Sequence, residues 1–311
     1  MKVSEEMNET EITQFLFTGF SHRPTTRMGL AASMTIVYLV TMLGNGLILL
    51  VVITDSRLHN PMYFFLCNLS IIDICLSTSS IPQPIVNCLV DRPALSFGRC
   101  YTQMYISIYL GSTECFLLAV MAYDQYIAIS SPLRYTIIMN WRVCISMAVG
   151  SWIVAFFLVV VPGLANPFRF CGHNKIDHFA CEVTAVMKLI CSDKSVTQRN
   201  MYFTSTFTVL FPFSFILFSY LRIIVTILRI HSAGGRLKAF STCLSHLAVV
   251  VAFYGISIAT YIKPQSKDSH DSDKAMYVIN AGVVPMVNPL IYTLKNQDVK
   301  GALKRLMEKK L

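Results

Sequence analysis

An all-α membrane protein, folded as one bundle of seven transmembrane helices followed by a short amphipathic helix, is the architecture that this sequence predicts. Three observations lead there. Of the 311 residues, 54% are hydrophobic and only 14% charged, well below the charged fraction of an ordinary soluble domain. The apolar residues fall in seven blocks, each near or above the ~20 residues that a bilayer crossing takes. Past the last block, an apolar stripe recurs at helical spacing among lysines and arginines.

The elements follow in order. Residues 1–27 are polar and carry Glu5, Glu6, Glu9 and Glu11. They lack a basic stretch ahead of an apolar core, so the expectation is an extracellular segment, no cleaved signal peptide, and insertion directed by the first helix. The seven-helix domain spans 28–292, with helices expected near Met28–Ile53, Met62–Leu89, Gln103–Ile129, Val143–Val161, Asn200–Leu228, Phe240–Ile262 and Ala275–Tyr292. Pro82, Pro84, Pro212, Pro285 and Pro289 lie within or at the ends of these blocks. A membrane helix tolerates such kinks where neighbouring helices satisfy the freed carbonyls. Residues 293–311 form a cytoplasmic tail. There Val299, Ala302, Leu303, Leu306 and Met307 make one face, and Lys300, Lys304, Arg305, Lys309 and Lys310 occupy the rest, as in a helix lying on anionic lipid.

Orientation is not settled by charge, because Lys and Arg divide evenly between the two sides. The Asn8-Glu9-Thr10 sequon and the cluster of Cys100, Cys171, Cys181 and Cys191 in loops of one side favour an extracellular N-terminus at the plasma membrane. The net charge of +9 does not suggest nucleic acid, since six of the basic residues follow Tyr292 and no basic stripe interleaves with aromatics. No HExxH, P-loop, GxGxxG or Gly-x-Ser-x-Gly pattern occurs, so an enzyme is not expected. A transporter or channel is a remote alternative: no repeat relates the two halves.

Asn45, Asp73, Glu114 and Asn288 place polar groups inside four different apolar blocks. Such residues are either functional or a hydrogen-bonded glue between helices. Asp73 and Glu114 are hard oxygen donors suited to a small cation. The four loop cysteines allow three pairings. His178, Cys181 and Glu182 form a His-x-x-Cys-Glu cluster, which a disulfide at Cys181 would disable as a metal site. Cys67, Cys75, Cys88, Cys115, Cys144 and Cys243 read as small buried hydrophobes. His59 and His246, at helix ends, read as packing and hydrogen-bonding residues.

Five stretches carry a resemblance. Met121-Ala122-Tyr123-Asp124-Gln125-Tyr126-Ile127-Ala128-Ile129-Ser130 ends the third block. Leu58 to Leu66 reads Leu-His-Asn-Pro-Met-Tyr-Phe-Phe-Leu and runs on to Asn68-Leu69-Ser70 and Asp73. Lys238-Ala239-Phe240-Ser241-Thr242-Cys243-Leu244-Ser245-His246-Leu247 opens the sixth block. Ser219-Tyr220 ends the fifth, and Pro285-Met286-Val287-Asn288-Pro289-Leu290-Ile291-Tyr292 the seventh. In this order and spacing the chain resembles the olfactory receptors, rhodopsin-like G-protein-coupled receptors, and the second outer loop resembles the tetrapod-type subclass.

The resemblance implies an odorant receptor that activates a stimulatory G protein and raises cyclic AMP. It implies bonds Cys100–Cys181 and Cys171–Cys191, and a coupling and switch region at Asp124, Gln125, Tyr126, Tyr220, Lys238, Asn288, Pro289 and Tyr292. No cofactor is expected beyond a sodium ion at Asp73 and Glu114. The family has arginine where Gln125 stands, so a receptor with weak or absent coupling is the alternative. Glutamine is neutral and shorter, yet able to hydrogen-bond Asp124 or a backbone carbonyl.

By the same resemblance the odorant cavity lies among Met104, Ser107, Ile108, Gly111 and Ser112 of the third helix. Thr204, Ser205 and Thr208 of the fifth, and Tyr254, Ser257, Ile258 and Tyr261 of the sixth, complete it. Plain helix packing is the competing role for each. Amine receptors carry aspartate at the position of Ser107, and rhodopsins a retinal-linking lysine in the seventh helix; this chain has no acid at the first, and Ala275–Tyr292 contains no lysine. The expected ligand is therefore a small, volatile, mostly apolar and neutral molecule.

Overall fold

A computed structural model describes residues 13–19, 23–165, 170, 173–190, 194–261, 270–295 and 297–308. Asn8, Cys171, Cys191, Lys309 and Lys310 lie outside these residues, as do the side chains of Lys238, Tyr261 and Tyr292. Seven long helical segments make the bundle. They are α1 (Pro24–Thr54), α2 (Pro61–Leu89), α3 (Phe97–Ser130) and α4 (Trp141–Ala165), then α5, α6 (Ala233–Tyr261) and α7. Helix α5 runs from Lys194–Ser205 through a π turn, Thr206–Leu210, to Phe211–Leu228. Helix α7 repeats that plan with His270–Val278, the π turn Ile279–Val283 and Val284–Lys295. A final helix, α8 (Gln297–Glu308), packs against the ends of α1 and α2. The end of the bundle bearing Cys100 is called the disulfide end below, and the end bearing α8 the tail end.

Local chemistry explains where the helices start. Pro24 and Pro61 occupy first-turn positions of α1 and α2, where a missing N–H costs nothing and φ is already helical. Asn60 accepts from the Tyr63 N–H at 3.4 Å, and Asn140 from the Val143 N–H at 3.2 Å, so both act as side-chain caps. Outward faces are apolar and uncovered, as a hydrocarbon surround demands. On α1, Leu39, Leu43, Leu47 and Leu50 are all exposed.

The prolines have their costs met by neighbours. Proline removes the N–H that would bond the carbonyl four residues earlier. Pro84 frees the Ser80 carbonyl, which accepts from the Tyr277 hydroxyl at 3.1 Å. Pro289 frees the Pro285 carbonyl, which accepts from Asn45 Nδ2 at 3.1 Å. The Ala281 carbonyl, four residues before Pro285, accepts from the Ser77 hydroxyl at 3.3 Å. Both π turns end two residues before a proline, Pro212 in α5 and Pro285 in α7, and bulges and prolines are both recognised places for a helix to bend.

Two features go beyond the expected helices. At the disulfide end, β1 (Gln14–Phe17) pairs antiparallel with β2 (Ala94–Ser96) and parallel with β3 (Lys175–Ile176), Phe15 facing Leu95. Phe15, Phe17, Leu95 and Ile176 bury together beside Cys100 and Cys181. The segment expected to be polar and extracellular therefore carries a strand that is part of a lid. At the tail end, α8 buries Val299 and Ala302. Arg305 Nε donates to Asp55 Oδ2 at 2.9 Å, and the Tyr63 hydroxyl donates to Asp298 at 3.3 Å.

Candidate functional site

In the middle of the bundle, α2, α3 and α7 each contribute one polar side chain to a common point. Asn288 Nδ2 donates to Asp73 Oδ2 at 3.1 Å, to Asp73 Oδ1 at 3.2 Å and to Glu114 Oε1 at 3.4 Å. All three residues are buried, and Glu114 Oε2 has no partner. Two carboxylates so close in a low-dielectric interior need a shared cation or proton. The orphaned oxygen of Glu114 and the two of Asp73 fit a small hard cation. Asn45, grouped with them on sequence grounds, is engaged elsewhere, donating to the Thr41 and Pro285 carbonyls. No group of three or more His, Cys, Asp or Glu side chains is arranged for a metal among the described residues.

The α3 face has mixed contents. Met104 and Ser112 are buried, Ile108 is half-buried, and the space beside Gly111 is open. Ser107 donates to the Gln103 carbonyl and meets the Ser80 hydroxyl at 2.9 Å, which turns it toward α2. On α5, Thr208 is buried, Thr204 donates to the Leu158 carbonyl of α4 at 3.2 Å, and Ser205 is exposed. On α6, Tyr254 is buried with its hydroxyl 3.5 Å from the Cys115 carbonyl and its ring against Phe213. Ser257 is half-buried and Ile258 exposed. None of these α3 residues is an acid; Glu114, two turns beyond Ser107 on the same side of α3, is engaged by Asn288.

The lid over the disulfide end is joined in several places. Cys100 and Cys181 are bonded, with Cα atoms 5.4 Å apart. Lys274 of α7 is buried and donates to Asp177 Oδ1 and to the Gly19 carbonyl, both at 3.0 Å. The Thr18 hydroxyl donates to the same Asp177 oxygen. His178 stacks on Phe179 and accepts from the Ala180 N–H at 3.0 Å. Burial, reinforced by the Lys274 charge, pushes the His178 ring down to about 4, so it is neutral at physiological pH. Glu182 caps the helical turn Val183–Met187 through the Thr184 and Ala185 N–H groups. With Cys181 in a disulfide and Glu182 engaged as a cap, the His-x-x-Cys-Glu cluster is structural.

At the tail end Gln125 and Asp124, which glutamine is able to hydrogen-bond, take different partners. Asp124 Oδ1 accepts from the Tyr135 hydroxyl at 2.7 Å, in the turn after α3. Gln125 is buried and points into the bundle, its Nε2 donating to Met62 Sδ of α2 at 3.4 Å. Its Oε1 stands 4.0 Å from Cys243 Sγ of α6. Consecutive helical residues point about 100° apart, so the two side chains serve different neighbours. Beside them Tyr220 of α5 meets His246 Nδ1 of α6 at 2.7 Å, and His246 Nε2 meets the Leu118 carbonyl of α3 at 3.1 Å. A carbonyl only accepts, so in the neutral ring Nε2 carries the proton and Nδ1 accepts from Tyr220. Tyr126 is half-buried, its ring near Tyr123.

Comparison with known proteins assigns this arrangement. The profile described as olfactory receptor matches residues 34–310. The chain is 46% identical to human olfactory receptor 13H1, over 97% of this chain and 98% of that protein. It is 45% identical to human olfactory receptor 13F1, over 96% and 94%. The chain belongs to the olfactory receptor family.

Squid rhodopsin shares the fold, with a TM-score of 0.72 at 15% identity over 93% of this chain and 87% of that one. This olfactory receptor is thus a multi-pass membrane receptor and not an enzyme. The match from α1 to α8 covers every element that holds the polar core and the tail-end contacts. Sequence reasoning missed Lys274, Asp177, Tyr135, Ser77 and Tyr277 as joining residues. Only Lys274, charged and next to an apolar block, carried any signal of its role.

Proposed function

We propose that the receptor binds a small, mostly apolar, uncharged odorant between α3, α5 and α6 and activates a stimulatory G protein, raising cyclic AMP. The observation that carries this is the full-length relatedness to human olfactory receptors. The absence of an acid at Met104, Ser107, Ile108, Gly111 and Ser112 supports a neutral ligand, with Thr208, Ser257 and Tyr254 supplying the few polar groups such cavities use. The receptor sits in the plasma membrane with its N-terminus outside, Asn8 glycosylated, and Cys171 bonded to Cys191. The basic face of α8 rests on anionic lipid. Asp73 and Glu114 hold a sodium ion in the resting state, and Asp73→Asn removes any sodium dependence of odorant affinity.

A second reading concerns output, and the Gln125 geometry favours it. An arginine would supply a fixed positive fork at this position, available to Asp124 at rest and to a partner on activation. Gln125 lies buried between Met62 and Cys243, and Asp124 is engaged by Tyr135. The receptor then binds odorant but signals weakly. The test is a cyclic AMP assay in cells, screening volatile compounds against the natural chain and Gln125→Arg at matched surface expression. The variant should show the higher maximum. Equal maxima sink the weak-coupling reading. Silence of both toward every compound, with surface expression verified, sinks the stimulatory assignment.

A further inference from the structure

A cleft of about 260 Å³ opens between α2 and α3 at the disulfide end, lined by Thr78, Ser79, Pro82, Gln83, Arg99 and Gln103 together with Leu95 of β2. None of these residues belongs to the odorant face, the polar core or the tail-end contacts. The wall is rich in donors and lacks any carboxylate. Gln103 is 9% exposed, and its Nε2 has no hydrogen-bond partner. Buried amide groups are rarely left this way, because losing water without gaining a partner is costly.

Arg99 stands one helical turn before Gln103 and is exposed. It lies in the first turn of α3, which has no acidic residue. The positive end of the helix dipole therefore meets a cation, and nothing within that turn offsets either. An oxyanion at this place satisfies the Gln103 amide and the Arg99 fork together, with the Ser79 hydroxyl as a further donor.

The surroundings indicate what carries the anion. A spanning helix meets the headgroup layer near its ends, and Arg99 is in the first turn of α3. From the cleft toward the bundle centre the outward surface turns apolar. Ile71 on α2 is 43% exposed and Ile106 on α3 is 41% exposed. Ile71 shares a helical face with Thr78, seven residues on, and Ile106 with Arg99.

We propose that this cleft binds the phosphate of a bilayer phospholipid, held by Arg99 and Gln103, with the acyl chains lying along Ile71 and Ile106. Free phosphate offers the same oxygens without the chains, so the test separates the two. Full-length receptor in detergent is titrated with dioleoyl phosphatidylglycerol, dioleoylglycerol or inorganic phosphate, reading bound lipid by native mass spectrometry and Tm by thermal unfolding.

Phosphatidylglycerol should bind and raise Tm, while dioleoylglycerol should not. Arg99→Gln, an exposed change that leaves the fold intact, should weaken binding several-fold, and the double variant with Gln103→Leu at least tenfold. Gln103→Leu alone should not lower Tm in lipid-free detergent, since leucine removes an unpaired amide. Lys300→Gln with Lys304→Gln, at the other end of the bundle, should retain the cleft's binding. Equal phosphatidylglycerol binding by natural chain and double variant overturns the site. An equal effect of dioleoylglycerol overturns the phosphate, and an equal effect of inorganic phosphate alone overturns the lipid.

Discussion

At the disulfide end, α3, the three strands and α7 are joined by a covalent bond, a backbone hydrogen-bonded sheet and the Lys274–Asp177 ion pair. At the tail end, α2, α3, α5 and α6 meet through neutral hydrogen bonds from Gln125, Tyr220 and His246, two of them involving sulfur. The first set resists rearrangement, because breaking it strands a charge or requires reduction. The second can be exchanged for contacts of similar strength. One end is built to hold its shape while the other is able to move, as a receptor that passes a signal across the membrane requires. The Arg305–Asp55 pair fits the contrast, since it anchors α8 to the end of α1, while among the described residues no ion pair involves α5 or α6.

The largest expected effect comes from Cys181→Ser. The bond closes a loop of sequence separation 81, and its loss should cost on the order of 4 kcal/mol and much of the surface expression. Thermal unfolding of purified receptor measures the first, and flow cytometry the second. An unchanged Tm would mean that the lid does not depend on its covalent joint.

Acid should loosen the same end next. His178 is folded in its neutral form, held down to about 4 by burial and then by the Lys274 charge, against the nearby Asp177 carboxylate. Its contribution is fully present above the ordinary value near 6.5 and is lost as pH falls toward 4. Stability measured from pH 7 to pH 4 should drop by roughly 3 kcal/mol at most from this group. His178→Phe should flatten that part of the profile; an unaltered slope would assign the acid sensitivity elsewhere.

Lys274→Met sharpens the comparison at smaller scale. Asp177 is half-exposed and can turn to water, so the cost should be about 1–2 kcal/mol. Hydrogen exchange at the Leu16, Phe17 and Thr18 amides, which bond the Asn174, Pro93 and Ile176 carbonyls, should speed up about tenfold. Unchanged protection there would show that the sheet holds without the ion pair.

The smallest stability effect, about 1 kcal/mol, belongs to Tyr220→Phe at the tail end, which removes the hydroxyl from His246. Its visible consequence should be functional, a rise in ligand-independent cyclic AMP at matched surface expression as α6 loosens. A fall in basal signalling with unchanged Tm would place Tyr220 in the active state instead.

The seven crossings, the kinking prolines and the apolar face of α8 were legible in the sequence, because each rests on local spacing that a bilayer strictly limits. Family membership was legible for a related reason, since its five motifs keep their order along the chain. The convergence of Asp73 and Glu114 on Asn288 was only half legible. The sequence marks each as costly inside a membrane, but which polar groups meet depends on how the helices rotate. Asn45, marked in the same way, turned instead to the carbonyl freed by Pro289. Strand β1, four residues long, was too short for its alternation to stand out. Its pairing with segments some 80 and 160 residues away exists only once α3 and the disulfide have brought them together. Gln125 is the clearest case. Its identity was plain from the chain, but its direction was decided by the helix that carries it, which points it at Met62 and Cys243 and leaves Asp124 to Tyr135. Hydropathy and local propensity act over one or two turns and are written in the sequence. The choice of partner for a buried polar group is made by whichever unsatisfied donor or acceptor the packed bundle brings within 3 Å or so.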